Sequence, residues 1–249
     1  MPPGRRGGMD RIAMSKLRFP NPIFVALDTP DLPKALSLGA AIKPHVGGLK
    51  IGLEFYTALG PDAVRRVVAL GLPVFADLKF HDIPNTVAGA AREIARLGAA
   101  VFNIHVSGGE AMMRAAVDAA KSVDPKIRII GVTLLTSMTD IDLDAVGQKK
   151  PALAQVERLA MLAKQCGLDG VVCSPQEIAL VRKACGADFL IVTPGIRPAG
   201  ADLADQRRVT TPAEAARAGA DILVIGRPIT AASDPAAAAR AIAGEFMAV

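Results

Sequence analysis

At 249 residues the chain is long enough to bury a substantial core, as one large α/β domain or two small ones, without disulfide or metal staples. Its formal charge of +5 comes largely from residues 1–20, where Arg5, Arg6, Arg11, Lys16 and Arg18 face one acid, Asp10; the rest is nearly neutral, so no polyanion partner is implied. Aromatic residues at 4% leave no stacking platform for nucleic acid, three cysteines without a Cys-x-x-Cys pattern and three scattered histidines argue against a disulfide framework or a zinc site, and no apolar run approaches membrane-spanning length.

In chain order, residues 1–20 are rich in Pro, Gly and Arg and lack the apolar region of a signal peptide. They read as a disordered basic leader to a soluble, cytoplasmic protein whose folded domain is 21–249. From Pro22 onward, short β-branched runs alternate with Ala-rich segments of helical period. Strand Ile23 to Asp28 leads to helix Asp31 to Ala41, strand Gly48 to Leu53 to helix Pro61 to Leu70, and strand Pro73 to Lys79 to helix Thr86 to Leu97. Strand Val101 to Val106 leads to helix Gly109 to Ala120, and Arg128 to Leu134 to Leu153 to Cys166. Gly170 to Cys173 leads to Pro175 to Ala184, Phe189 to Thr193 to Thr211 to Ala218, and Ile222 to Gly226 to the closing helix Pro235 to Phe246. Gly71, Gly98, Gly167, Gly186 and Gly219 follow helices and suit the left-handed stop position. Eight βα units predict a single-domain (β/α)8 TIM barrel with its site at the C-terminal strand ends. An open doubly wound sheet is the second choice, disfavoured because no Gly-x-Gly-x-x-Gly follows the first strand.

Polar residues gather at those ends: Asp28, Lys50, Asp77 with Lys79, Asn103 with His105, Thr133 with Thr136, Ser174, and Thr193 to Arg197. Residues two apart on a strand share a face, so Asp77 and Lys79 point together. Charges inside apolar strands are costly unless paired, which predicts one alternating-sign network of Asp28, Lys50, Asp77 and Lys79 at the barrel mouth. Neutralisation of four charges plugging the mouth is the bland alternative. Thr193-Pro-Gly-Ile-Arg197 and Val224-Ile-Gly-Arg-Pro228 close the seventh and eighth strands, where barrels bind phosphate; Gly226 admits an anion to the backbone and Arg227 contacts it. The long polar segment Gly195 to Arg208 suits a lid. His105 reads as a hydrogen-bonded strand-end residue and His45 as a loop residue.

Together, Phe24-Val-Ala-Leu-Asp28, Leu49-Lys-Ile-Gly52, Asp77-Leu-Lys-Phe-His-Asp-Ile-Pro-Asn-Thr86, Leu134-Leu-Thr-Ser137, Thr193-Pro-Gly-Ile-Arg197, Asp205-Gln-Arg-Arg208 and Val224-Ile-Gly-Arg-Pro228 closely resemble the orotidine 5'-phosphate decarboxylase family from Ile23 to Phe246. The resemblance implies cofactor-free and metal-free decarboxylation of orotidine 5'-phosphate to UMP, closing de novo pyrimidine synthesis. It implies Lys79 as proton donor between Asp77 and Asp82, Lys50 linking the network to the ribose, and Asp28 on a ribose hydroxyl. Thr136 and Ser137 would meet the pyrimidine, and Arg197, Gln206, Gly226 and Arg227 the phosphate. It further implies a homodimer in which Asp82 and Thr86 complete the partner's site. Two other readings stand beside it: a metal-dependent sugar-phosphate decarboxylase, aldolase or epimerase sharing Asp-x-Lys-x-x-Asp, and a non-catalytic UMP-binding barrel.

Overall fold

The computed structural model describes residue 19 and residues 21–198 and 210–247, with side chains through Glu245. The expected leader lies outside them except for Phe19, whose ring packs edge-on against Phe24 at 5.1 Å. Gln206 and most of the expected lid also lie outside.

Eight strands, β1 (Ile23–Ala26), β2 (Gly48–Ile51), β3 (Val74–Phe80), β4 (Val101–His105), β5 (Arg128–Val132), β6 (Gly170–Val172), β7 (Leu190–Thr193) and β8 (Ile222–Ile225), pair in parallel in chain order. The sheet closes where Phe24 of β1 lies opposite Val224 of β8, which excludes the open sheet. The connecting helices are α1 (Leu32–Ile42), α2 (Leu53–Val68), α3 (Pro84–Arg96), α4 (Gly109–Lys121), α5 (Asp140–Ala145), α6 (Ala152–Gln165), α7 (Ile178–Cys185), α8 (Pro212–Ala218), α9 (Arg227–Thr230) and α10 (Pro235–Met247). All five glycines expected to stop helices have positive φ, from 78° at Gly71 to 103° at Gly219.

Strand periodicity divides the core in two. Phe24, Phe75, Val101, Ile130, Leu190, Val192 and Ile222 fill the barrel interior, while their neighbours Ile23, Val25, Val74, Ala76, Phe102, Ile129, Ile191 and Leu223 pack outward in the larger core that includes the helices. Gly48 is small so that Phe24 fits, because a Cβ there would stand 2.3 Å from its ring. At the N-terminal face, Asp169 accepts from Ile129 N and Arg128, and Asp221 from Ile191 N and Arg182, which ties strand starts together. The interior packing raises a solid floor beneath the C-terminal mouth.

Candidate active site

Lys50 points inward near the end of β2 with 8% of its side chain exposed. Its Nζ donates to Asp28 Oδ1 at 3.0 Å and lies 3.4 Å from Asp77 Oδ2. Asp77 Oδ1 receives Lys79 Nζ at 2.5 Å. The four therefore form the alternating series Asp28, Lys50, Asp77, Lys79 that their strand-end positions predicted. Two carboxylates offset the desolvation of Lys50. Burial by itself would push the Asp77 carboxyl up; Lys50, then Lys79, with hydrogen bonds from Lys79 and Asn103, outweigh it and hold it below the ordinary aspartate value. Gly52, just after β2, is what lets Asp28 and Lys50 meet, since a Cβ there would lie 2.8 Å from Asp28 Oδ1 and 3.0 Å from Lys50 Nζ.

Asp77 and Lys79 meet by a route that simple alternation misses. Along β3 and β4, Ala76 stands opposite Phe102 but Phe80 opposite Ile104, so four steps on β3 match two on β4. Inside this bulge Lys79 takes φ 53°, a conformation rare outside glycine. Its N–H donates to Asn103 Oδ1 at 2.8 Å, and Asn103 Nδ2 donates to Asp77 Oδ1 at 2.8 Å.

A cavity of about 170 Å³ opens against this network. Phe75, Asp77 and Lys79 form one side, and Val132, Leu134, Leu135, Thr136, Val172, Val192, Pro194 and Val224 form the other. The site is thus charged along β1 to β3 and chiefly apolar along β5 to β8, not a full polar ring. Strand parity explains the difference. Thr133 and Thr193 alternate with inward-facing Val132 and Val192; both are buried, and Thr133 Oγ1 donates to Val172 O. Ser174, also buried, donates its N–H to Glu177.

The remaining expected site residues are spread around this centre. Asp82 and Thr86 are exposed within an exposed run from His81 to Thr86, where Ile83 is 68% accessible. Asp82 Oδ1 accepts from Ile83 N at 2.6 Å, and among the described residues Asp82 forms no ion pair with Lys79 of its own chain. Ser137 is exposed and does not line the cavity, whereas Thr136 does. Arg197 is buried, donating Nη1 to Ile196 O, and its N–H donates to Thr210 O. Arg227 is exposed at the start of α9. Gly226 precedes it; among the described residues a Cβ there would meet nothing nearer than Ala26 Cβ at 3.7 Å.

His105 makes no hydrogen bond through its ring among the described residues; it lies 5.2 Å from the His81 ring instead, and burial, then His81 and Lys79, push its pKa down. His45 occupies a short 3-10 turn. Asn103 and Gly52 contact or shape the charge network without having been named among the expected site residues. Asn103 shares inward parity with Val101, a signal in the sequence; nothing local marks Gly52.

Known proteins share this architecture and sequence. The family described as "Orotidine 5'-phosphate decarboxylase / HUMPS family" matches residues 21–242. The orotidine 5'-phosphate decarboxylase of Paramagnetospirillum magneticum is 53% identical, covering 91% of this chain and 98% of that protein, and that of Moorella thermoacetica is 55% identical, covering 94% and 95%. A solved orotidine 5'-phosphate decarboxylase from Lactobacillus acidophilus superposes with a TM-score of 0.81 at 38% identity, covering 91% of this chain and 99% of that one. A family match over nearly the whole folded region, relatives more than half identical, and a solved member with the same fold establish that this chain belongs to the orotidine 5'-phosphate decarboxylase family.

Proposed function

We infer that this chain decarboxylates orotidine 5'-phosphate to UMP and carbon dioxide, the closing step of de novo pyrimidine synthesis, with Lys79 as the proton donor. The observation that carries the residue assignment is the Asp28, Lys50, Asp77, Lys79 series set against an apolar wall. The pyrimidine lies against that wall beside Thr136, with Ser137 at the rim. As the bond from C6 to the carboxylate breaks, its electron pair stays on C6 and carbon dioxide leaves. The Lys79 ammonium stabilises the growing negative charge and then protonates C6; the resulting amine regains its proton from solvent. Asp77 fixes the ammonium, and Lys50 with Asp28 holds the ribose hydroxyls.

The cavity is smaller than the roughly 300–1,000 Å³ of whole-ligand pockets, which fits a site that encloses the reacting ring while the phosphate reaches outward. Arg197, Gln206, Gly226 and Arg227 take that phosphate in this account. Binding energy collected there, remote from C6, is available for lowering the barrier. The chain works as a homodimer in which Asp82 and Thr86 complete the partner's site, a reading supported by an exposed run from His81 to Thr86 whose acid forms no ion pair among the described residues. Against the metal-assisted sugar-phosphate reading, Lys50 Nζ sits between Asp28 and Asp77, where a cation shared by those carboxylates would lie.

Lys79→Ala tests the assignment: turnover is expected to fall by at least about 10³-fold while UMP still binds, and a folded variant with most of its activity would refute the donor role. Mixing inactive Asp82→Asn and Lys79→Ala subunits tests the shared site. Activity should reappear through hybrid sites free of both lesions; no recovery after demonstrated subunit exchange argues for sites complete within one chain.

A further inference from the structure

Asn103 has no charge and no solvent exposure, yet both ends of its amide are engaged in the catalytic network. The bulge in β3 takes the N–H of Lys79 out of the regular ladder with β4, and a buried N–H left without a partner is costly. Asn103 Oδ1 accepts that N–H at 2.8 Å, holding Lys79 at φ 53°. Its Nδ2 donates to Asp77 Oδ1, the oxygen that also receives Lys79 Nζ, which turns Oδ2 toward Lys50. One side chain therefore secures the backbone of the ammonium and the rotation of the carboxylate that holds it.

We propose that Asn103 is a positioning residue for the decarboxylation, setting where the Lys79 ammonium stands over the cavity by bridging the Lys79 main chain and the Asp77 carboxylate. A side chain that accepts and donates at this reach is required. Ionised Asp lacks the donor, Leu lacks both functions, and Ala leaves a gap. The kinetic part rests on the decarboxylase reading; the geometric part does not.

The charged and titratable groups around Asp77 are Lys50 from β2, Lys79 from its own strand, Asp28 behind Lys50, and His105 of β4 near Lys79. The Asn103 hydrogen bond favours ionised Asp77, so its removal raises the Asp77 pKa and moves the acid limb of the kcat profile to higher pH.

The test compares wild type with Asn103→Leu and Asn103→Ala, each checked for folding by circular dichroism and melting. We expect kcat to fall about 100-fold, UMP affinity to stay within about threefold, and the acid limb to move up in pH. A carboxyl carbon-13 titration of Asp77 in the same proteins reads its pKa without turnover and should show the same upward shift. A loss of kcat matched only by a loss of folded protein, with the limb and the Asp77 titration unmoved, overturns the proposal, as does a folded variant with wild-type kcat. If the wild type fails to decarboxylate orotidine 5'-phosphate, the function reading fails, and the Asp77 titration still decides the role of Asn103. Should neither variant fold, hydrogen exchange in the wild type decides: a Lys79 amide proton as protected as its strand neighbours supports the bridge, and free exchange overturns it.

Discussion

Asp77→Asn separates the work of a charge from the work of a shape. Asp77 Oδ1 takes Lys79 Nζ at 2.5 Å and Asn103 Nδ2 at 2.8 Å, so the amide oxygen must occupy that place. The new NH₂ then faces the Lys50 ammonium, whose Nζ lies 3.4 Å from Oδ2 in the native protein. A hydrogen bond to a charged group contributes about 1.5–3 kcal/mol and a neutral one about 1. Demoting the Lys79 contact loses about 1 kcal/mol and abolishing the Lys50 attraction about 2, or about 3 in all. Lys79, with 31% of its side chain exposed, recovers part of this from water, and the amide avoids the desolvation of a buried carboxylate. Stability should therefore change by less than about 2 kcal/mol, within about 8 °C in Tm. The same 3 kcal/mol withdrawn from ammonium positioning corresponds to about 10²-fold in rate. The assay is loss of orotate absorbance for kcat and KM beside a melting curve. A folded variant retaining more than about a tenth of wild-type kcat refutes the reasoning.

Two further outcomes follow from the same contacts. Asp77 titrates below its ordinary 3.8, so the stability it supplies is fully present above that value and is lost as pH falls through the lower native pKa. Lys50→Met removes a cation that holds that carboxyl down and should move the acid limb of kcat to higher pH; an unmoved limb in folded protein contradicts the coupling. Gly52→Ala places a methyl 2.8 Å from Asp28 Oδ1 and 3.0 Å from Lys50 Nζ, both ends of movable side chains. Folding should survive within about 1 kcal/mol while KM rises about tenfold, and an unchanged KM would show that the Asp28 and Lys50 contact does not serve binding.

The barrel was legible because each element carries its own local signal. β-branched runs mark the strands, glycine marks helix ends, and all eight expected strands fall on observed ones. The charge series was legible for a related reason, since each member stands at a strand end where an apolar run stops. What escaped reading is relational. The register shift between Ala76 and Phe80 depends on β4, and no local propensity predicts a lysine at φ 53°. Grouping Thr133 and Thr193 with the polar residues at the strand ends overlooked parity, since each follows an inward-facing valine. Gly60 breaks α2 at φ 70°, and the Gly-Pro pair hid the helical turn from Leu53 that precedes it. The short α5 carried a readable sign, for Thr139 and Asp142 form a capping pair, with Thr139 N donating to Asp142 at 2.7 Å.

The central claim is that the charge series at the barrel mouth decarboxylates orotidine 5'-phosphate without a metal. Purified protein mixed with orotidine 5'-phosphate, with and without EDTA, and followed by ultraviolet absorbance with product identification tests it directly. Conversion to UMP at the same rate in both samples is the predicted result. No conversion by folded protein, or conversion that stops with EDTA and returns with Mg²⁺, would contradict it.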